Sequence, residues 1–108
     1  MNSATIMQHY QKALELTRAM LEAARKSEWD RMVSLEKERA GVIDQLRQHD
    51  VEPQRADPPT RNRKRELIRD IVQCDEQIEI LTQDWMRELR EVLGSIRTEQ
   101  RLSRTYER

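Results

Sequence analysis

Residues 67–96 read LIRDIVQCDEQIEILTQDWMRELREVLGSI. Within them Leu67, Ile71, Cys74, Ile78, Leu81, Trp85, then Leu89 or Val92, and Ile96 step forward by three and four residues. That spacing puts every member on one side of an α-helix, and no Pro or Gly interrupts it before Gly94. A helix from about Thr60 to about Arg97 runs roughly 55 Å at 1.5 Å per residue. It is too long for a compact domain this small. Part of its apolar stripe is therefore expected to face something other than its own chain.

Composition points to an all-α chain with a thin core. Of 108 residues, 36% are apolar and 37% charged, and there is no Phe, which suits narrow seams between helices better than a broad core between sheets. Only 2 Gly and 3 Pro are present, too little punctuation for an all-β or α/β chain. The length fits one domain over 1–108. Twenty basic and twenty acidic side chains cancel, so no global field favours nucleic acid or anionic lipid. The lone Cys74 lies on the apolar seam, where a small buried thiol is expected, and a reducing cytoplasm suits it. The opening MNSATIMQHY has neither a basic region nor an apolar run, and no stretch is long enough to span a bilayer.

Working outward, two further helices precede the seam. The first, about 5–25, carries Ile6, Tyr10, Leu14, Thr17, Leu21 and Ala24 on one stripe, widened by Ala13, Leu16 and Met20. A break follows at Lys26-Ser27-Glu28-Trp29-Asp30. Ser27 is read there as an N-cap with Asp30 as the acidic member of a capping box. The second helix, about 28–49, carries Trp29, Met32, Val33, Leu35, Ala40, Ile43 and Leu46, and Trp29 is expected to cover the turn. So short a connection requires the two helices to lie side by side and antiparallel. Residues 50–60, DVEPQRADPPT, read as an exposed loop because of Pro53, Pro58 and Pro59, with Thr60 as the cap of helix three. The expected architecture is an up-down-up three-helix bundle with a long third helix, about 60–97.

The remaining polar features suggest no chemistry. Alternating charges at Glu36-Lys37-Glu38-Arg39 and Arg87-Glu88-Leu89-Arg90-Glu91 read as solvated faces. Arg61, Arg63, Lys64 and Arg65 form a denser patch at a helix N-terminus, where the macrodipole disfavours cations, so local stability does not explain them. No aromatic side chain is interleaved with them, which argues against single-strand recognition. His9 and His49 lack metal-ligand spacing to any Cys or carboxylate. No phosphate loop, nucleophile elbow or zinc-type His-Glu motif is present, so neither an enzyme nor a cofactor is expected.

Gly94 is a poor helix-interior residue, costing about 1 kcal/mol relative to Ala, and marks a place for helix three to bend or stop. Beyond it Leu102 and Tyr106, four apart, share a face of a short tail helix at about 98–107. Two readings stay open: a frayed extension of helix three, or a tail that folds back over an apolar groove.

Several of these residues carry a resemblance. The turn Ser27-Glu28-Trp29-Asp30, the preceding Met20-Leu21-Glu22-Ala23-Ala24, the charged second helix with Glu36, and the tail from Val92-Leu93-Gly94 to Leu102 and Tyr106 resemble the FliT flagellar export chaperones. The resemblance implies a cytoplasmic type III export chaperone that holds the filament-cap protein FliD before export. It also implies contacts with the export ATPase and its partner, and with the regulator FlhDC, opposing transcription. On this view the partner-binding residues are Ile43 and Leu46 on helix two, Ile68, Val72, Leu93 and Ile96 on helix three, and Leu102 and Tyr106 in the tail. Such a groove would receive another protein's helix through anchors at i, i+3, i+4 and i+7.

The competing reading is a coiled-coil or homodimeric scaffold that pairs long helices through the same seam. Uncovered stripe on helix three favours self-association in either case. A nucleic-acid binder using Arg61 to Arg65 would lose affinity steeply as salt rises.

Overall fold

The computed structural model describes residues 2–50 and 57–106. These form three helices, α1 (Ser3–Arg25), α2 (Trp29–His49) and α3 (Pro58–Tyr106), and no strand appears among the described residues. Backbone proximity divides the chain into two compact units, Met1–Ile78 and Glu79–Arg108.

The ends of the helices show how local chemistry sets their bounds. Asn2 caps α1, its side-chain oxygen accepting from the Thr5 N–H at 2.8 Å. At the other end the Ser27 N–H donates to the Ala24 carbonyl at 3.1 Å and the Glu28 N–H to the Ala23 carbonyl at 2.8 Å. This is the Schellman pattern, which needs a left-handed residue in the position Ser27 holds, and Ser27 has φ 58°. Ser27 is therefore the turn residue that ends α1, not the cap that starts α2. The N-cap of α2 is Glu28, with no side-chain capping bond.

The start of α3 also departs from the expectation. Pro58 and Pro59 lie inside its first turn, and the Arg61 N–H donates to the Asp57 carbonyl at 3.0 Å. The first helical positions have no intrahelical use for an N–H, so proline is tolerated there, and Thr60 is inside the helix rather than its cap. Pro53 falls outside the described residues. Gly94 does not stop the helix. α3 runs through it to Tyr106, so the tail residues extend helix three, one of the two readings the sequence left open. A single glycine costs the helix about 1 kcal/mol, too little to break a run of good helix formers. The Thr98 hydroxyl donating to the Gly94 carbonyl at 3.0 Å adds a local tie.

In the first unit, α1 and the opening turns of α3 run parallel at a constant register. Gln11 meets Arg63, Arg18 meets Asp70 and Arg25 meets Gln77, each pair 52 residues apart and each step two turns along both helices. α2 runs against both. Moving from Asp50 back to Arg39 moves the α3 partner forward from Lys64 to Asp75. The up-down-up order expected from the short first connection is thus observed.

The core belongs mainly to α1. Ala13, Leu14, Leu16, Thr17, Met20, Leu21, Ala23 and Ala24 are buried on it, whereas α2 contributes only Leu46 and α3 contributes Leu67 and Ile78. Small Ala side chains let the neighbouring helices approach, and Leu14 and Leu67 fill the space between. Cys74 is a free thiol and half-buried rather than fully enclosed; Trp29 is half-buried at the start of α2.

The second unit is the distal part of α3. Along it Leu81 and Trp85 are half-buried, while Leu89, Val92, Leu93 and Ile96 are exposed. Within it Gln83 bonds Glu79 and Arg87 pairs with Asp84, each one turn apart.

Candidate functional site

The first unit carries an apolar groove. Ile43 and Leu46 project from α2, Ile68, Ile71 and Val72 from α3, and Tyr10 and Ala13 from α1, around a cavity of about 330 Å³. The antiparallel register brings the end of α2 against the start of α3, which is why apolar residues as far apart in sequence as Ile43 and Val72 share one space. Ala13 and Leu46 lie buried in it, Ile43 and Ile71 are half-buried, and Ile68 and Val72 keep 39% and 48% of their surface exposed. Apolar side chains left this open at the rim of a groove gain by being covered, at about 25 cal/mol per Å².

Two polar nodes fix the helices around this groove. In the first, one Arg39 nitrogen donates to the Thr17 hydroxyl at 3.1 Å and to the Asp75 carboxylate at 2.6 Å, tying α2 to α1 and α3 together. Thr17 is fully buried, and its hydroxyl also donates to the Ala13 carbonyl at 2.7 Å, so it is satisfied as donor and acceptor.

The second node sits at the groove itself. The Tyr10 hydroxyl donates to the Asp50 carboxylate, which also pairs with the Lys64 ammonium, while Lys64 Nζ stands 5.2 Å from the centre of the Tyr10 ring. Burial, and after it the hydrogen bond and charge of Asp50, push the Tyr10 hydroxyl well above the ordinary tyrosine range. Burial would also push the Asp50 carboxyl up. Hydrogen bonds from Lys64 and Tyr10 and the Lys64 charge outweigh it and hold Asp50 below the ordinary aspartate value. The side chains of Lys64 and Asp50 are 15% and 12% exposed, so removing either one would leave the other as a shielded charge without its counter-charge.

Of the residues expected to bind a partner, Ile43, Leu46, Ile68 and Val72 come together in this groove. Leu93, Ile96 and Leu102 belong to the second unit and are exposed there, and the Tyr106 side chain lies outside the described residues. Reading the sequence missed Tyr10, Ile71 and Asp50 as groove residues. Ile71 was assigned to the seam, and its place one turn from Ile68 was the available signal. Tyr10 and Asp50 gave none, being 40 residues apart. The basic cluster is partly resolved by the fold, because Lys64 serves Asp50 and Arg63 bonds Glu66 and Gln11. Among the described residues no group of His, Cys, Asp or Glu is placed to hold a metal, and no helix is long and apolar enough to cross a membrane.

The model of the flagellar protein FliT family matches residues 7–108, almost the whole chain. The chain belongs to the FliT family. The FliT family is a family of flagellar chaperones. No curated protein and no solved structure matches the chain.

Proposed function

We propose that this chain is a cytoplasmic flagellar export chaperone that holds the filament-cap protein FliD through the apolar groove of its first unit, keeping it unassembled until export. The observation that carries this reading is the convergence of Ile43, Leu46, Ile68 and Val72 on one groove between antiparallel helices, with Ile68 and Val72 open to solvent. A groove of this kind accepts an amphipathic helix through anchors one turn apart. Burying a few large side chains supplies several kcal/mol, offset by ordering of the bound segment, which corresponds to micromolar or tighter binding. The chaperone itself needs no nucleotide for this.

Leu89, Val92, Leu93 and Ile96 form a second exposed apolar stripe. It is the surface this proposal leaves for the family's other partners, the export ATPase with its partner and the regulator FlhDC. The same stripe favours self-association, which sedimentation at rising protein concentration would register. The chaperone reading is tested by calorimetric titration with the C-terminal segment of FliD. Wild type should bind, and Ile68→Asp and Val72→Asp should each weaken binding at least tenfold without loss of helicity. Equal binding by all three proteins would overturn the groove assignment.

A further inference from the structure

The groove carries one charge that the fold leaves unanswered. Its polar lining side chains are Tyr10, Arg47 and Asp50. Tyr10 and Asp50 satisfy each other, and Lys64 supplies the counter-charge to Asp50. Arg47 is placed differently. It is exposed on α2, and among the described residues its side chain makes no ion pair or hydrogen bond.

Two carboxylates stand where they could have paired with it. Asp44 and Asp50 lie three residues before and after Arg47, the spacing at which helix neighbours meet. Asp44 instead accepts from Gln48 at 3.2 Å, and Asp50 is drawn to Tyr10 and Lys64. A cation in the last turn of a helix is favoured by the macrodipole, which accounts for a basic residue near the end of α2. It does not account for one that borders an apolar groove while both adjacent carboxylates look elsewhere. With Asp50 paired to Lys64, Arg47 is the charged side chain lining the groove that has no partner of its own among the described residues, and the neighbouring Asp44 lies outside the groove lining.

We propose that Arg47 reads charge in whatever the groove binds, and that the occupant is an amphipathic helix whose apolar stripe is bordered by a carboxylate. The inference rests on the groove being the partner site. As the stripe covers Ile43, Ile68 and Val72, its bordering Asp or Glu meets the Arg47 guanidinium. The same approach by a helix bordered with Lys brings like charges together beside apolar walls that thin the intervening water. The contact therefore selects among apolar helices more than it adds to their affinity.

The test is a double-mutant cycle on the full chain, using the FliD C-terminal segment as probe and a set of segment variants in which each Asp or Glu is changed singly to its amide or to Lys. Circular dichroism and thermal unfolding confirm that Arg47→Gln and Arg47→Glu fold as wild type does, as expected for an exposed side chain. Arg47→Gln should weaken binding about threefold to fivefold, in the range of an exposed ion pair, and Arg47→Glu about tenfold. One amide variant of the segment should weaken binding to wild type equally and bind Arg47→Gln with no further loss. The matching Lys variant should bind Arg47→Glu better than wild type. The Arg47 effects should shrink as sodium chloride rises to about 0.5 M. Binding that is weakened by Val72→Asp but indifferent to Arg47 and to every segment carboxylate would overturn this inference and leave the groove assignment standing. Absence of binding to wild type would overturn the FliD reading and this inference with it.

Discussion

Leu67 and Leu93 are leucines on the same helix, and they meet opposite fates. Leu67 is 1% exposed and fills the core of the first unit, whereas Leu93 is 44% exposed in the second. The apolar periodicity is the same on either side of Ile78. What differs is cover. α1 ends at Arg25, which bonds Gln77, so the constant α1 to α3 register stops at that level. The seam tells which side of α3 is apolar and is silent on how far along that side other helices lie.

The comparison breaks most visibly under truncation. Leu67→Ala should cost about 3 kcal/mol by urea unfolding, from lost burial and the cavity left behind, and Leu14→Ala should cost as much. The same truncation at Leu93 should change stability by less than about 0.5 kcal/mol, as at other exposed positions. Similar losses at Leu67 and Leu93 would mean that the two stretches of α3 are equally covered.

The polar ties sharpen it next. Arg39→Ala removes the donor shared by Thr17 and Asp75 and should cost about 2 kcal/mol, because a fully buried hydroxyl loses a partner. Arg87→Ala, which breaks a pair between neighbours on the surface of α3, should be nearly neutral.

Asp50 gives the comparison a pH dependence. Its folded-state value lies below the ordinary one, so the native state favours the carboxylate. The stability this contributes is fully present above the unfolded value of about 4 and is lost as pH falls through the folded value. Asp50→Asn should therefore be less stable than wild type by about 1–2 kcal/mol at pH 7, and the gap should close below about pH 4. A gap independent of pH would show that the Lys64 pairing is not what holds this end of the bundle.

The smallest effects concern the backbone. Ser27→Gly relieves a left-handed residue and should stabilise the protein by about 0.5–1 kcal/mol. Gly94→Ala should raise far-UV helicity and slow amide exchange around 90–98. Nothing lies within 4 Å of a Cβ placed at Gly94, so an Ala there meets no obstacle. Lower helicity in Gly94→Ala would restore a functional bend at that position.

These residues also show what could be read from sequence. The three helices and their alternating directions followed from apolar spacing and from one connection too short to allow anything else. The capping box at Ser27 failed because Ser serves both as a helix start and, less often, as a left-handed helix end. Which of the two applies depends on the Ala23 and Ala24 carbonyls. Pro58 and Pro59 were read as loop because proline is excluded from helix interiors but not from first turns. Four of the groove residues, Ile43, Leu46, Ile68 and Val72, were legible as apolar positions on the second and third helices. The node of Tyr10, Asp50 and Lys64 was not, since three polar side chains on three elements carry no local signature and meet only once the register is set.

The central claim is that partner binding belongs to the groove of the first unit. Methyl-resolved NMR of the full chain, titrated with the FliD C-terminal segment, tests it most directly. The account predicts the largest shifts at the methyls of Ile43, Leu46, Ile68 and Val72. Shifts confined to Leu93, Ile96 and Leu102, with those four unmoved, would contradict it.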